Sequence, residues 1–237
     1  MTGAAPRWTF AEALLARAFR STLCRALWIK MLRRCFGFEF EGVENVPREK
    51  AVIFAGNHAS HYDGLFSVTM AYLVQGREPA AVAFSKAGDF PIIKQIVRTK
   101  SLDLIFADPL DPSPRARAVV LGGMIDRLED GRSIVVHVEG HRRDTLGEFM
   151  PGAAVAARAS GAPIVPFTLI GVLPLWKKLP WPDRWTGRVR VRLHPQVEPE
   201  DYAGLRAAEG VAAMTAELRR RVASAIDYED SFTAPSA

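Results

Sequence analysis

Residues 7–36 carry neither glycine nor proline. Large apolar side chains recur through them at Trp8, Phe10, Leu14, Leu15, Phe19, Leu23, Leu27, Trp28, Met31, Leu32 and Phe36. The spacing predicts helix, either continuous or broken near Ser21-Thr22. Arg17, Arg20, Arg25, Lys30, Arg33 and Arg34 are interleaved with the apolar positions. Basic side chains can lay their stems on apolar surface while their heads stay in water. The segment therefore suits a helix lying in a membrane interface. A helix packed on a core is the other reading, because the charges do not gather on one face.

After Gly37 the period shortens. Phe38-Glu39-Phe40-Glu41 alternates as a short strand, and Gly42 marks a turn. Ala51–Ala55, Ala80–Phe84, Leu104–Phe106, Ser133–Val138, Ile164–Leu169 and Val189–Leu193 are short apolar or alternating runs that read as strands. Helical stretches separate many of them. Asp63–Val74 is one. A second opens at Ser113-Pro114, where a capping hydroxyl precedes proline at the first helical position, and runs to about Glu129 before Gly131. Gly152–Ser160 and Ala203–Ile226 are the others.

Strands alternating with helices predict an α/β fold with a mixed, mostly buried sheet flanked by helices. The expected organisation is an amphipathic helical segment over 1–36, an α/β domain over 37–230 and a loose tail over 231–237. The stretch from Leu173 to Gly187 holds three Trp and three Pro. It reads as a loop that touches lipid or covers a groove, or as a packed Ω-loop.

Composition narrows the partners. The chain has 237 residues, 49% of them apolar, which suits one folded domain rather than a disordered chain. A net charge of +5 favours anionic partners. With no Lys/Arg-rich run, zinc-finger spacing or RNA-binding aromatic motif, nucleic acid is not expected among them. Cys24 and Cys35 lie on one expected helix roughly 16 Å apart, beyond disulfide reach, which fits a reducing compartment. No run approaches the roughly 18–20 uncharged apolar residues of a membrane span, and no signal peptide is visible. The expectation is a peripheral protein on the cytoplasmic face of a membrane.

Two polar clusters follow buried strands, where α/β sheets place their chemistry. The first is Gly56-Asn57-His58-Ala59-Ser60-His61-Tyr62-Asp63. His58 is a candidate general base and Asp63 the carboxylate that would fix its tautomer. The acceptor hydroxyl of a substrate would then stand where a serine protease has its own serine. Ser60-x-x-Asp63 also reads as a helix-capping pair, and His58 with His61 as a metal pair, although no Cys or carboxylate set completes a familiar site. The second cluster is Val136-His137-Val138-Glu139-Gly140-His141-Arg142-Arg143. Gly140 permits a tight turn, Arg142 offers planar donors to phosphate, and Glu139 could hold Arg142 or a substrate hydroxyl. A solvated charged loop is the plainer reading.

In order and spacing, these residues resemble the glycerolphosphate and lysophospholipid acyltransferases. That family carries Asn-His-x4-Asp, matched by Asn57-His58 to Asp63. Its Phe-Pro-Glu-Gly-Thr-Arg block is matched at Glu139, Gly140 and Arg142, with Val138 for Pro and His141 for Thr. A following Lys-x-Gly helix region is echoed by Phe149, Gly152 and Ala153, and a Val-Pro strand by Ile164-Val165-Pro166-Phe167. The resemblance covers roughly residues 38–195. One departure concerns the acceptor: the second block usually ends in Arg, whereas Leu104–Asp108 is followed by Pro109, and Arg115 and Arg117 come only on the next helix.

The resemblance implies an acyltransferase without metal or cofactor. It would move a fatty acyl group from acyl-CoA or an acyl-carrier-protein thioester to a lipid acceptor, 1-acylglycerol-3-phosphate first among the candidates. A non-phosphate acceptor such as a lyso-amino-lipid or glycolipid is the alternative, and a non-catalytic lipid-binding protein the rival from another class. The implied catalytic residues are His58 and Asp63. The implied substrate-binding residues are Asn57, Glu139, Gly140, His141 and Arg142.

Overall fold

The apolar runs assemble into one seven-stranded sheet in the computed structural model, which describes residues 22–60, 62–84, 103–108, 111, 113–173 and 188–230. The strands are β1 (Glu39–Glu41), β2 (Ile53–Gly56), β3 (Ala80–Phe84), β4 (Asp103–Ala107), β5 (Ile134–His137), β6 (Ile164–Ile170) and β7 (Arg190–Leu193). Their order across the sheet is β1-β7-β6-β2-β5-β3-β4. β6, β2, β5, β3 and β4 run parallel to one another. β7 is antiparallel to β6, and β1 is parallel to β7, so the sheet is mixed, as expected.

Pleating distributes side chains to two cores. Phe54, Val135, Val165, Phe167 and Leu169 face one cluster. Ile53, Ala55, Ile134 and Ile164 face the other. α1 (Thr22–Phe36) and α2 (Asp63–Gln75) contribute to the first, through Leu32, Phe36, Phe66 and Met70. α3 (Pro114–Glu129), α4 (Gly152–Ser160) and α5 (Ala207–Ala223) contribute to the second, through Met124, Leu128, Ala153, Ala157, Met214 and Leu218. Every position of β2 and β6 is buried, as continuous apolar runs demand of central parallel strands.

β2 and β6 also approach unusually closely. A Cβ on Gly56 would lie 2.4 Å from the Phe167 ring and 2.5 Å from the Phe167 carbonyl oxygen. Only glycine fits there. α3 starts as read, with the Ser113 hydroxyl accepting from Ala116 N at 3.1 Å and proline next. α5 starts later than Ala203, because Pro199–Tyr202 forms a 3-10 turn first.

α1 packs on the core through one part of its surface. Leu32 and Phe36 are buried, and the Phe36 ring meets Phe66 edge-on at 5.4 Å. Leu27, Lys30, Arg33 and Arg34 are exposed. Among the described residues no helix is long and apolar enough to cross a membrane. The readings made on residues 1–21, on 174–187, on His61, on Pro109 and on the tail 231–237 lie outside the described residues.

Candidate active site

Gly56 ends β2 and is paired in register with His137, which ends β5. The two polar clusters, some eighty residues apart in sequence, therefore leave the sheet side by side at its carboxyl edge. They are then tied together. His58 N donates to Glu139 Oε1 at 2.7 Å, and Arg143 N donates to the His58 carbonyl at 3.0 Å.

Asp63 is the first residue of α2 and is fully buried. Its Oδ2 accepts from Ala59 N at 2.6 Å and from Ser60 N at 2.7 Å, and lies 2.9 Å from His58 Nδ1. A carboxylate can only accept, so His58 Nδ1 carries the proton and Nε2 keeps its lone pair. Nε2 has no hydrogen-bond partner among the described residues, and the His58 side chain is 23% exposed. One oxygen thus closes the turn before α2 and holds the orientation of the imidazole. Among the described residues, Asp63 Oδ1 is buried without a partner.

The electrostatics set the protonation states. Burial raises the Asp63 carboxyl to about 6, against the pull of the His137 charge and of the Ser60 and Ala59 amides. Burial, then the charges of Arg142 and His141, lower His58 to about 4. At neutral pH the pair is a carboxylate beside a neutral imidazole, the state a general base needs.

The neighbours are held as firmly. Asn57 is fully buried. Its amide nitrogen donates to the Leu169 carbonyl at 3.1 Å and to Tyr228 Oη at 2.9 Å, and its oxygen accepts from Leu169 N at 2.8 Å. Asn57 therefore pins the end of β2 to β6. Glu139 is also buried, its Oε2 accepting from Gly147 N at 2.9 Å while Oε1 takes His58 N. Burial pushes its carboxyl up, opposed by those two amides. Gly140 turns the exposed loop at φ 73°, a conformation other residues rarely adopt. His141 and Arg143 are exposed and Arg142 is half-buried, with burial lowering its guanidinium from the ordinary value.

Two residues of the site were not singled out from sequence. Tyr228, on the segment after α5, reaches Asn57, and burial pushes its phenol up. His137 stacks its ring on His58, centroids 4.6 Å apart and planes 25° apart. The signal for His137 was its place at a strand end, but only the β2–β5 register shows which strand end it faces. One donor atom each from His58, Asp63 and His137 falls within 4.8 Å of the others. His58 Nδ1 lies 2.9 Å from Asp63 Oδ2 and His137 Nδ1 lies 2.7 Å from the Asn57 carbonyl oxygen, so one nitrogen of each ring is engaged in a hydrogen bond. In the region of the second block, β4 ends at Ala107, and Arg115 and Arg117 are exposed in the first turn of α3.

The chain is 31% identical over 134 residues to a probable 1-acyl-sn-glycerol-3-phosphate acyltransferase of Mycoplasma pneumoniae, covering 54% of this chain and 47% of that protein. The chain thus spans about half the length of that curated relative. Its fold is similar to the crystal structure of the 1-acyl-sn-glycerophosphate acyltransferase PlsC from Thermotoga maritima, with a TM-score of 0.59 and 21% identity, over 96% of this chain and 90% of that one. The Acyltransferase family model matches residues 37–170, a stretch that contains both polar clusters, β2 through β6 and the His58–Asp63 pair. On that match the chain belongs to the acyltransferase family.

Proposed function

We propose that this acyltransferase moves a fatty acyl group from an acyl-CoA or acyl-carrier-protein thioester to the free hydroxyl of a lysophospholipid, with 1-acylglycerol-3-phosphate as the leading acceptor. The observation that carries the reading is the neutral His58 ring, partly open to solvent, with Nδ1 held by the buried Asp63 carboxylate and Nε2 without a partner among the described residues. His58 Nε2 takes the proton of the acceptor hydroxyl as its oxygen attacks the thioester carbonyl carbon. The carbon–sulfur bond breaks, and the leaving thiolate takes the proton back from the imidazolium. Asp63 stabilises that imidazolium and stays ionised throughout.

Arg142 and Arg143 support an anionic acceptor, because they bring positive charge to the loop beside His58, and His141 lies next to them on the same loop. Gly140 contributes the turn that presents them. Asn57 and Glu139 act on substrate through the backbone they hold. Pro109 in place of the usual second-block Arg favours a second reading, a non-phosphate acceptor such as a lyso-amino-lipid or glycolipid. Peripheral association with the cytoplasmic face of a membrane is supported by the exposed Leu27, Lys30, Arg33 and Arg34 of α1.

The test is thiol release from acyl-CoA and from acyl carrier protein, with a panel of phosphate-bearing and phosphate-free lyso-lipids. His58→Ala should lose about 10²- to 10⁴-fold in rate, the usual worth of a positioned base. A folded His58→Ala variant as fast as wild type would sink the base assignment. Turnover confined to phosphate-free acceptors would replace the leading acceptor with the alternative. Absence of turnover with every donor and acceptor would favour the lipid-binding rival.

A further inference from the structure

His137 stands at the first position of the Phe-Pro-Glu-Gly-Thr-Arg block, where the family pattern has an aromatic hydrocarbon ring. Here an imidazole fills that place, and both its nitrogens are within reach of polar atoms. Nδ1 lies 2.7 Å from the Asn57 carbonyl oxygen. A carbonyl only accepts, so Nδ1–H donates to it and the tautomer is fixed. Nε2 lies 3.2 Å from the Ser67 hydroxyl, one helical turn along α2 from Asp63. The Ser67 hydroxyl also reaches the Asp63 carbonyl at 2.8 Å. One face of the ring stacks on His58, and Phe167 of β6 abuts it edge-on at 5.8 Å.

We propose that His137 is the positioning residue of the catalytic dyad, acting chiefly through its Nδ1–H, with its ring plane and Nε2 as secondary supports. Its Nδ1–H anchors the peptide carbonyl immediately before His58. Its ring plane fixes the plane of the base. Its Nε2 meets the turn of α2 that carries Asp63. A phenyl ring would supply the second of these contacts only, so this chain has exchanged a packing wedge for a hydrogen-bonded one.

The wedge works as a neutral ring. The ionisable groups that face it are His58, from the segment after β2, and Asp63, from α2; Phe167 from β6 is apolar. Burial and the neighbouring His58 lower the His137 ring to about 4, with Asp63 and the Asn57 carbonyl pulling the other way. A charged His137 would face His58 just as that ring takes its own proton.

The inference rests on His58 being the base, and the two ideas fail separately. His137→Phe keeps the stacked ring and loses both polar contacts. His137→Asn carries an amide nitrogen where Nδ1 stood. His137→Gln carries one where Nε2 stood. We expect His137→Phe and His137→Gln to lose about 10- to 100-fold in kcat, since misplacement of a reacting group by about 1 Å costs that order. KM for the thioester should stay within about twofold of wild type. His137→Asn should recover to within about threefold of wild type in kcat. The His137→Asn against His137→Gln comparison decides the matter even where His137→Phe does not fold. Wild-type kcat in a folded His137→Phe, or equal damage in Asn and Gln variants, overturns the inference. His58→Ala run in parallel separates the cases: if it is inactive while His137→Phe is fully active, only the His137 role is lost. If His58→Ala is itself fully active, the base assignment falls with it.

Discussion

Replacing Asp63 with asparagine tests the dyad at one atom. Oδ2 accepts three contacts, from Ala59 N, Ser60 N and His58 Nδ1, whereas Oδ1 is buried with none. The asparagine side chain can enter in two orientations. With its oxygen at the Oδ2 position, both backbone amides and the imidazole keep their acceptor. With its nitrogen there, donor faces donor at both amides and His58 is driven to the other tautomer. The two amides at 2.6 and 2.7 Å select the first orientation. Its penalty is a buried NH2 in the empty Oδ1 position, about 1–3 kcal/mol of stability, or roughly 2–12 °C in Tm for a domain of this size. The catalytic loss is the difference between a charge-assisted and a neutral hydrogen bond to the forming imidazolium, about 1–2 kcal/mol. That corresponds to roughly a 5- to 30-fold fall in kcat. Thiol release at saturating thioester and a thermal melt measure the two quantities. No change in kcat would refute Asp63 as the partner of the base. A fall of about 10⁴-fold would instead mean that the amide has flipped, so that the Ala59 and Ser60 amides do not fix its orientation.

Activity should fall as pH drops through about 6, where Asp63 takes a proton and ceases to be an anionic partner; kcat/KM between pH 5 and 8 checks this. Stability should fall over the neighbouring range, from about 6.5 to about 4. There the unfolded chain binds protons that folded His58, His137 and His194 refuse, and two carboxyls, Asp63 and Glu139, work in the opposite sense; urea titrations at successive pH values report the sign. Gly56→Ala should cost at least about 1–3 kcal/mol by overpacking against Phe167, and melting with soluble yield would show it; a variant as stable as wild type contradicts the close β2–β6 contact. Replacing Leu27, Lys30, Arg33 and Arg34 of α1 with neutral polar residues should weaken liposome binding while leaving a folded protein, because the buried Leu32 and Phe36 remain; undiminished binding would refute the membrane role of α1.

The elements were legible wherever a local rule governed them. Ser113-Pro114 announced α3, and the apolar runs at 80–84 and 164–169 became β3 and β6 almost unshifted. Misreadings arose where neighbours decide. Asp103 joins β4 because Arg127 and Arg132 neutralise it from outside the strand. The entry to α5 is delayed by a turn that proline at 199 initiates. Strand order was not legible at all, since six apolar runs do not specify which is adjacent to which. That gap explains what was missed in the site. His58 and Asp63 are five residues apart and could be paired on paper. His137 faces His58 only because β5 lies beside β2, and Glu139 meets the amides of His58 and Gly147 rather than a guanidinium for the same reason.

The two-handed grip of Glu139 has a bearing on how such an enzyme diversifies. One carboxylate fastens His58 on one side and Gly147 on the other, and Arg219 steadies Gly147 further through its carbonyl at 3.0 Å. The loop over 140–146 is thereby suspended between fixed posts, with His141, Arg143 and Asp144 turned to solvent. The exposed side chains of His141, Arg143 and Asp144 can drift while Gly140 keeps the turn, the buried Leu146 keeps the core, and the backbone of Arg143 keeps its bond to His58. On the proposed function, head-group preference can then change without moving the His58–Asp63 pair beneath the loop.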